Sequence, residues 1–299
     1  MKKMRLHIYI VLGLFVVTFI LGSFFDVNLS QAIYSSNNAF GLTISVIGTI
    51  PGYAMLALLG GGFFVCFLNK KYHIVIRILF IIIAIAAFAV STFYVGREFF
   101  GPNGFTNEKI KWVGYLISAP LMAASSYLGY YLFNKSKMEH MWILLVILAV
   151  AIFMALVPGV SLLKIIFHRP RYRSIDAYGI DFHSWWQRCA NYKDLMAAYG
   201  ITSEEFKSFP SGHAGAAACF FLAVAFLPLL DKNYQKLQIP LFYAGLAWTL
   251  LVAFARILVG AHFLSDVSMG AILTTLCLLV ANEVVIHIKK INPVEIKEE

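Results

Sequence analysis

Long apolar runs separated by short polar breaks dominate this sequence. A helix needs about 20 apolar residues to cross a bilayer, whose core accepts only backbone that satisfies its own hydrogen bonds. We therefore predict an all-α fold, a polytopic transmembrane helical bundle with about eight spans. The predicted spans are 6–25, 46–68, 74–95, 112–133, 141–163, 211–230, 239–257 and 265–288.

The composition excludes several classes of protein. Of the 299 residues, 60% are hydrophobic and 13% are charged, whereas a soluble domain carries about a quarter charged residues. The polar surface is thus too small for a soluble enzyme, a disordered chain or a nucleic-acid-binding domain. The four cysteines show no metal-binding spacing, and three lie in apolar runs. We therefore expect neither a disulfide nor a zinc site.

The N-terminus has two interpretations. Lys2, Lys3 and Arg5 precede an apolar stretch, as in a signal peptide, and residues 30–32 form a loose cleavage site. This stretch is about 20 residues long, whereas the apolar region of a signal peptide has about 7–15. We therefore favour a retained span over a cleaved signal.

Lysine and arginine in the short loops predict the orientation. They recur at every second break between spans, and the positive-inside rule places these breaks in the cytoplasm. Both termini are then cytoplasmic, and the breaks near 26–45, 96–111, 164–210 and 258–264 face outward. The cytoplasmic cations are Lys2, Lys3, Arg5, Lys70, Lys71, Arg77, Lys135, Lys137, Lys232, Lys236, Lys289 and Lys290.

The segment 164–210 is the longest external one and is rich in aromatic residues. It is either an interfacial aromatic belt or a cap over a site. It opens with a basic cluster that the positive-inside rule disfavours on this face. The cluster is explained by a bound anion or, alternatively, by side chains that snorkel to the interface. Its members are Lys164, His168, Arg169, Arg171 and Arg173.

The second notable segment, 207–215, leads this loop into the sixth span. Ser211 can cap the helix, and the exposed N–H groups at the start of a helix, including that of Gly212, suit an anion. His213 lies in the first turn. A helix cap without further function is the alternative.

The third segment, 256–266, joins the last two spans and contains Arg256, His262 and Asp266. Residues four apart share one face of a helix, so Asp266 can accept the Nδ1–H of His262 and leave Nε2 unprotonated. Ionisable residues at a membrane boundary are typically functional. A purely structural His–Asp bond is the alternative.

The three segments together resemble the signature of the PAP2 (type 2 phosphatidic acid phosphatase) superfamily of integral membrane phosphatases. That signature consists of Lys-x6-Arg-Pro, Pro-Ser-Gly-His and Ser-Arg-x5-His-x3-Asp. The matching residues are Lys164 and Arg171 for the first motif, 210–213 for the second, and Arg256, His262 and Asp266 for the third.

The sequence departs from this signature at two positions. Tyr172 replaces the proline of the first motif, and Ala255 replaces the serine of the third. An alternative register through Arg169 and Pro170 leaves the lysine only five residues before the arginine. We therefore prefer Lys164 with Arg171.

The resemblance implies a role for each matching residue. His262 is the nucleophile and forms a phosphohistidine, Asp266 orients it, and His213 is the general acid. The sequence has no acidic cluster for a divalent ion, so we expect metal-independent catalysis without a cofactor. The implied phosphate-binding residues are Lys164, Arg171, Ser211, Gly212 and Arg256.

The implied substrate is a lipid phosphate or diphosphate in the outer leaflet, such as undecaprenyl diphosphate, phosphatidylglycerophosphate or phosphatidic acid. Arg169, Arg173 and His168 are candidates to contact a second phosphate, which favours a diphosphate. The partners are therefore the lipid and the bilayer; we expect no nucleic acid, and the sequence indicates no protein partner. The alternatives are a phosphotransferase with an alcohol acceptor and a non-enzymatic anion or lipid transporter.

The resemblance also divides the chain. Residues 1–73 hold two spans outside the family core. Residues 74–288 form a six-helix catalytic membrane domain with a long external loop, 172–209. Residues 289–299 form a cytoplasmic tail.

Overall fold

The computed structural model describes residues 2–99, 111–136 and 138–288, and no strand occurs among them. The all-α bundle predicted from the apolar runs is therefore confirmed. The predicted tail 289–299, Lys137 and most of the external break 96–111 lie outside the described residues.

Fourteen α-helices follow one another along the described chain. They are α1 (Lys2–Ile33), α2 (Ala39–Ile47), α3 (Ile50–Leu68), α4 (Ile74–Phe99), α5 (Lys111–Lys135), α6 (Met141–Met154), α7 (Leu163–Phe167), α8 (Tyr172–Tyr178), α9 (Tyr192–Tyr199), α10 (Gly212–Ala218), α11 (Phe220–Val224), α12 (Leu227–Leu230), α13 (Gln235–Leu258) and α14 (Leu264–His287). A π-helical segment, Ala155–Leu162, joins α6 to α7, and 3₁₀ turns cover Ser203–Phe206 and Lys232–Tyr234.

Seven helical segments of the described chain are long and apolar enough to cross a membrane, which makes this a multi-pass membrane protein. The remaining predicted span, 112–133, does form a helix, α5, but its serines and tyrosines make it less apolar than the others. The seven segments are Lys3–Ile33, Ala39–Leu68, Ile74–Phe99, Met141–Tyr178, Gly212–Leu230, Lys232–Leu258 and Leu264–His287.

Two spans differ from their sequence-based form. The first helix continues to Ile33, beyond the predicted end at residue 25, and buries Asp26 and Ser30 in its last turns. The fifth span widens into the π-helical segment around Pro158, because proline lacks the N–H that an α-helical turn requires. Such wide turns are frequent at functional sites.

Close helix contacts fix the part of the bundle that holds the motifs. α1 packs along α14, and α10 packs against α13 and α14. A Cβ atom at Gly270 would clash with the carbonyl oxygen of Ser211, and one at Gly22 would clash with the backbone of Ser265. Small residues permit this approach of membrane helices, which brings the starts of α10 and α14 together.

Candidate active site

The three motif segments meet at one end of the bundle. The N–H of Arg173 donates to the carbonyl oxygen of Gly260 at 3.0 Å, and the N–H of Ser211 donates to that of Asp266 at 2.9 Å. These main-chain bonds join the first segment to the third and the second to the third. Residues separated by about 100 positions in the sequence therefore form one site.

A cavity of about 630 Å³ lies at this end of the bundle. His213, His262 and Gly212 line its polar part. Cations outnumber acids there, so the cavity suits an anion. The charged lining residues are Arg97, Lys164, Arg171, Arg173 and Lys207, against Glu98 and Glu204.

The rest of the cavity is an apolar groove between α4 and the α6–π segment. It is lined by Ile82 and Val90 on one side and by Phe153 and Val157 on the other. The exposed fractions of these side chains are 55, 41, 56 and 47%. Since both walls belong to membrane-spanning segments, the groove opens on the face of the bundle that contacts lipid.

His262 lies in the loop between α13 and α14 and is 1% exposed. Its Nδ1 lies 2.7 Å from the carbonyl oxygen of Ser208. A carbonyl only accepts, so Nδ1 carries the proton and Nε2 has a free lone pair. Burial, and then the positive charge of Lys164 and Arg171, holds the pKa of His262 well below its ordinary range. The imidazole is therefore neutral, as a nucleophile requires.

Asp266 does not bond directly to His262, in contrast to the sequence-based expectation. Its Oδ2 is 3.8 Å from Nδ1 of His262 and instead accepts from the hydroxyl of Ser208 at 2.5 Å and the N–H of Phe263 at 2.8 Å. The reason is that α14 begins at Leu264. His262 precedes the helix, and the i, i+4 relationship does not apply. Ser208, which sequence reasoning missed, connects the two.

Lys164 and Arg171 are fixed by main-chain oxygens. Lys164 Nζ donates to the carbonyl of Lys207 at 2.5 Å, and Arg171 donates to those of Glu204 at 2.8 Å and Ala261 at 3.2 Å. Carbonyl oxygens orient a cation without cancelling its charge. Both residues line the cavity wall, where the sequence predicts phosphate-binding groups.

Arg256 is 0% exposed, and none of its three guanidinium nitrogens has a hydrogen-bond partner in the described part of the chain. Its carbonyl oxygen accepts from the N–H of His262 at 3.2 Å, so its backbone is joined to that of the nucleophile candidate. A buried charge is costly unless it is paired. Arg256 itself does not line the cavity, so an anion held there by neighbouring residues would offset this charge without bonding to it.

His213, in the first turn of α10, lies beside an acid that the sequence analysis missed. Its Nε2 is 3.2 Å from Oε2 of Glu98, at the end of α4, although the two are not aligned for a hydrogen bond. Both side chains line the cavity. The only sequence signal of Glu98 is its position as an acid that ends an apolar run.

Of the neighbouring residues Ser211 and Gly212, only the second lines the cavity. Ser211 is fully buried, and its hydroxyl caps α10 by accepting from the N–H of Ala214 at 3.4 Å. It does not line the cavity. Gly212 does, and a Cβ there would be 4.0 Å from Cε of Lys164. Of the two, only Gly212 is placed to contact a ligand of the cavity.

Arg169 is not at the cavity, which corrects the expectation that it contacts a second phosphate. It is 0% exposed and forms ion pairs with Asp26 at 2.8 Å and Asp266 at 2.5 Å. Its Nε donates to the carbonyl of His183 at 2.7 Å. The guanidinium is thus fully used within the protein. Asp26, in α1, is a second acid that sequence reasoning missed.

His168 and Arg173 are the other two residues expected to contact a second phosphate. His168 ends α7 in a left-handed conformation and stacks on Tyr192, with ring centroids 3.7 Å apart, so it too is away from the cavity. Arg173 does line the cavity, but it forms an ion pair with Glu205 at 2.5 Å. Of the three candidates for contact with a second phosphate, Arg173 alone therefore lines the cavity.

Residues 2–99, 111–136 and 138–288 contain no group of three or more His, Cys, Asp or Glu side chains that could hold a metal ion. The site instead combines a neutral imidazole with a free Nε2, a second imidazole and a surplus of fixed cations. This combination suits nucleophilic attack on an anionic centre such as a phosphate ester.

Comparison with known families agrees with this chemistry. A family model described as the PAP2 superfamily matches residues 121–288, which is more than half of the chain. The match begins within α5 and includes all three motif segments, whereas Asp26 and Glu98 precede it. No solved structure matches the chain.

Proposed function

The chain belongs to the PAP2 superfamily, and from this membership we propose that it is a phosphatase that hydrolyses a lipid phosphate or diphosphate without a metal ion. The family supports phosphatase- or phosphotransferase-type activity on lipid phosphates in general. Beyond this general activity, we propose hydrolysis, a phosphohistidine intermediate and the lipid substrates named below.

One observation carries the proposal: the neutral His262, with its free Nε2, lines the same cavity as the cations Lys164 and Arg171. A phosphate group bound there would supply their counter-charge, and such fixed donors stabilise the charge that develops on the phosphate oxygens. Arg256 does not line the cavity, but its buried charge acts on His262 and adds to the positive potential of the site.

In the first step, Nε2 of His262 attacks phosphorus. The P–O bond to the lipid breaks, and His213 donates a proton to the departing oxygen. The products are a phosphohistidine and either a lipid alcohol, from a monophosphate, or a lipid monophosphate, from a diphosphate. Ser208 keeps the proton on Nδ1 so that Nε2 is the attacking atom.

In the second step, a water molecule attacks the phosphohistidine. His213, now unprotonated, accepts a proton from the water, the P–N bond breaks, and its electron pair returns to Nε2 of His262. Inorganic phosphate leaves and both histidines regain their starting states. An alcohol in place of water would make the same site a phosphotransferase.

The apolar groove supports a lipid as the substrate. It leads from the two histidines to the lipid-facing surface between Ile82 and Phe153. A headgroup in the polar part of the cavity would leave its hydrocarbon chain along this groove. Such a substrate reaches the site from within the bilayer.

We also propose that both termini are cytoplasmic and that the site faces outward across the cell membrane. This follows from the distribution of loop cations. In a cysteine-free background, a membrane-impermeant thiol reagent applied to intact cells should label Asp194→Cys, in the external loop, and spare Lys71→Cys. Labelling in the reverse pattern would invert the orientation.

The central test is phosphate release by the purified protein from phosphatidic acid, phosphatidylglycerophosphate and undecaprenyl diphosphate, with His262→Ala as the control. Release by the wild type and loss in the variant support the proposal. Absence of release from all three would refute it. A labelled lipid alcohol added to the same reaction becomes phosphorylated only if the protein is a phosphotransferase.

A further inference from the structure

The N-terminal helix α1 presents polar side chains to the catalytic end of the bundle. Thr18 accepts a hydrogen bond from Ser268 of α14 at 2.8 Å, and Ser23 accepts one from Trp185 of the external loop at 2.9 Å. One turn further along, Asp26 is only 4% exposed. A carboxylate buried in this way needs a charged partner and hydrogen bonds.

Asp26 finds both at the start of α14 and in the first motif. Its Oδ2 lies 2.8 Å from Nη2 of Arg169, and its Oδ1 accepts from the N–H of Ser265 at 2.9 Å. The hydroxyl of Ser265 also donates to this carboxylate. Asp26 therefore joins α1 to two segments that carry site residues.

Arg169 transmits this contact to Asp266, the acid of the third motif. Its Nη1 donates to Oδ1 of Asp266 at 2.5 Å, while Nη2 is held by Asp26. The two nitrogens are thus shared between two carboxylates. Because all three side chains are at most 4% exposed, water does not compensate for the loss of any of them.

Asp266 in turn connects to the nucleophile. Its Oδ2 accepts from the hydroxyl of Ser208 at 2.5 Å, and the carbonyl oxygen of Ser208 lies 2.7 Å from Nδ1 of His262. The position of the imidazole therefore depends on a chain of contacts that begins in α1, outside the residues matched by the family model.

We propose that Asp26 is a positioning residue for the reaction. It anchors Arg169, so that the Asp266 carboxylate stays oriented toward Ser208 and the imidazole of His262 stays in line for attack. With Asp26 neutral, Asp266 becomes the only carboxylate that holds Arg169, and it turns away from Ser208. This inference rests on the proposed function, since it concerns the same nucleophile.

The first test compares Asp26→Asn with the wild type in phosphate release from phosphatidic acid. A misplaced nucleophile lowers kcat by about 10- to 100-fold, whereas KM changes by less than about threefold because Asp26 does not touch the phosphate. Asp26→Glu keeps the charge and is expected to restore most of kcat. Ser23→Ala, which breaks another contact of α1, is the matched control and should leave kcat unchanged.

A double-mutant cycle separates positioning from general destabilisation. If Asp26 acts through Asp266, then Asp26→Asn lowers kcat in the wild type but has little further effect in Asp266→Asn. Additive losses, or a kcat for folded Asp26→Asn equal to that of the wild type, would overturn the inference.

The outcome for the proposed function is separate. Phosphate release by the wild type that disappears in His262→Ala supports that function whatever Asp26→Asn does. Should Asp26→Asn fail to fold, Ser265→Ala takes its place, because it removes the hydroxyl that donates to the Asp26 carboxylate and keeps the N–H that also does so. A larger loss of kcat in Ser265→Ala than in Ser23→Ala supports the positioning role, and equal losses indicate docking of α1 alone and contradict it.

Discussion

The carbonyl oxygen of Ser208 lies 2.7 Å from Nδ1 of His262, closer than the carboxylate of Asp266 at 3.8 Å. The main chain before α10 is thus the direct partner of the imidazole. The carboxylate supports that partner through the Ser208 hydroxyl instead of bonding to the ring. A side-chain substitution at residue 208 therefore leaves the direct contact in place.

This geometry predicts a graded effect of two substitutions. Ser208→Ala loses the hydroxyl that bonds to the Asp266 carboxylate but keeps the carbonyl, so kcat should fall by about 10- to 100-fold, the same loss as in Asp26→Asn. His262→Ala loses the nucleophile and should reduce kcat by more than about 10²-fold. Phosphate release gives both values, and quenching in an alkaline denaturant, which preserves the acid-labile P–N bond, should trap a phosphohistidine in Ser208→Ala but not in His262→Ala. A larger loss in Ser208→Ala than in His262→Ala would contradict this order.

The assignment of His213 as the acid predicts a dependence on the leaving group. His213→Ala should lower kcat by about 10²-fold or more for an alkyl phosphate, whose departing oxygen needs a proton. The loss should be much smaller for p-nitrophenyl phosphate, whose leaving group departs without one. Glu98→Gln should show the same pattern more weakly if the carboxylate positions His213. Equal losses for both substrates would remove His213 from this role.

Arg256 and Arg169 should respond in opposite ways to replacement by methionine. Arg256→Met removes a buried charge that has no hydrogen-bond partner in the described chain, so stability is expected to be unchanged or higher while KM rises. Arg169→Met leaves Asp26 and Asp266 unpaired and should cost about 3–5 kcal/mol of stability. Thermal unfolding in detergent measures both. Similar destabilisation by the two substitutions would show that Arg256 has a structural counter-charge.

The depressed pKa of His262 predicts the pH dependence of kcat/KM. Protonation of Nε2 abolishes attack, and burial together with nearby cations makes that protonation difficult. The acid limb that belongs to His262 should therefore lie well below the ordinary histidine pKa of about 6.5. The profile must be corrected for ionisation of the substrate phosphate. A limb that remains near 6.5 after this correction contradicts the neutral, buried imidazole.

Metal chelation provides the last prediction. The fixed cations of the site perform the charge stabilisation that a divalent ion supplies in other phosphatases. Treatment with EDTA should therefore leave phosphate release unchanged. Loss of activity that magnesium restores would overturn the metal-independent mechanism.

Much of this architecture could be predicted from the sequence, because it depends on local patterns. The apolar runs indicate the helices, and the basic and histidine-containing motifs fall at the ends of spans. The structure brings Lys164, Arg171, His213 and His262 to one cavity for this reason. The family expected from these motifs is confirmed by the match over residues 121–288.

The remaining features depend on contacts between distant elements, which spacing does not encode. Asp26 and Glu98 are single acids at the ends of apolar runs, and only helix packing shows that they meet Arg169 and His213. Arg169 differs from its predicted role, contact with a second phosphate, for the same reason. Its charge belongs to a basic cluster in the sequence, yet its guanidinium turns inward toward two carboxylates.

The groove between α4 and the α6–π segment has a consequence for how turnover scales. For a lipid substrate that enters from the bilayer, the relevant concentration is its mole fraction among the surrounding lipids, not its concentration in the aqueous volume. Diffusion of lipids in the plane of the membrane replenishes it. Turnover at a fixed total amount of substrate should therefore fall when inert lipid is added, although nothing in the aqueous phase has changed.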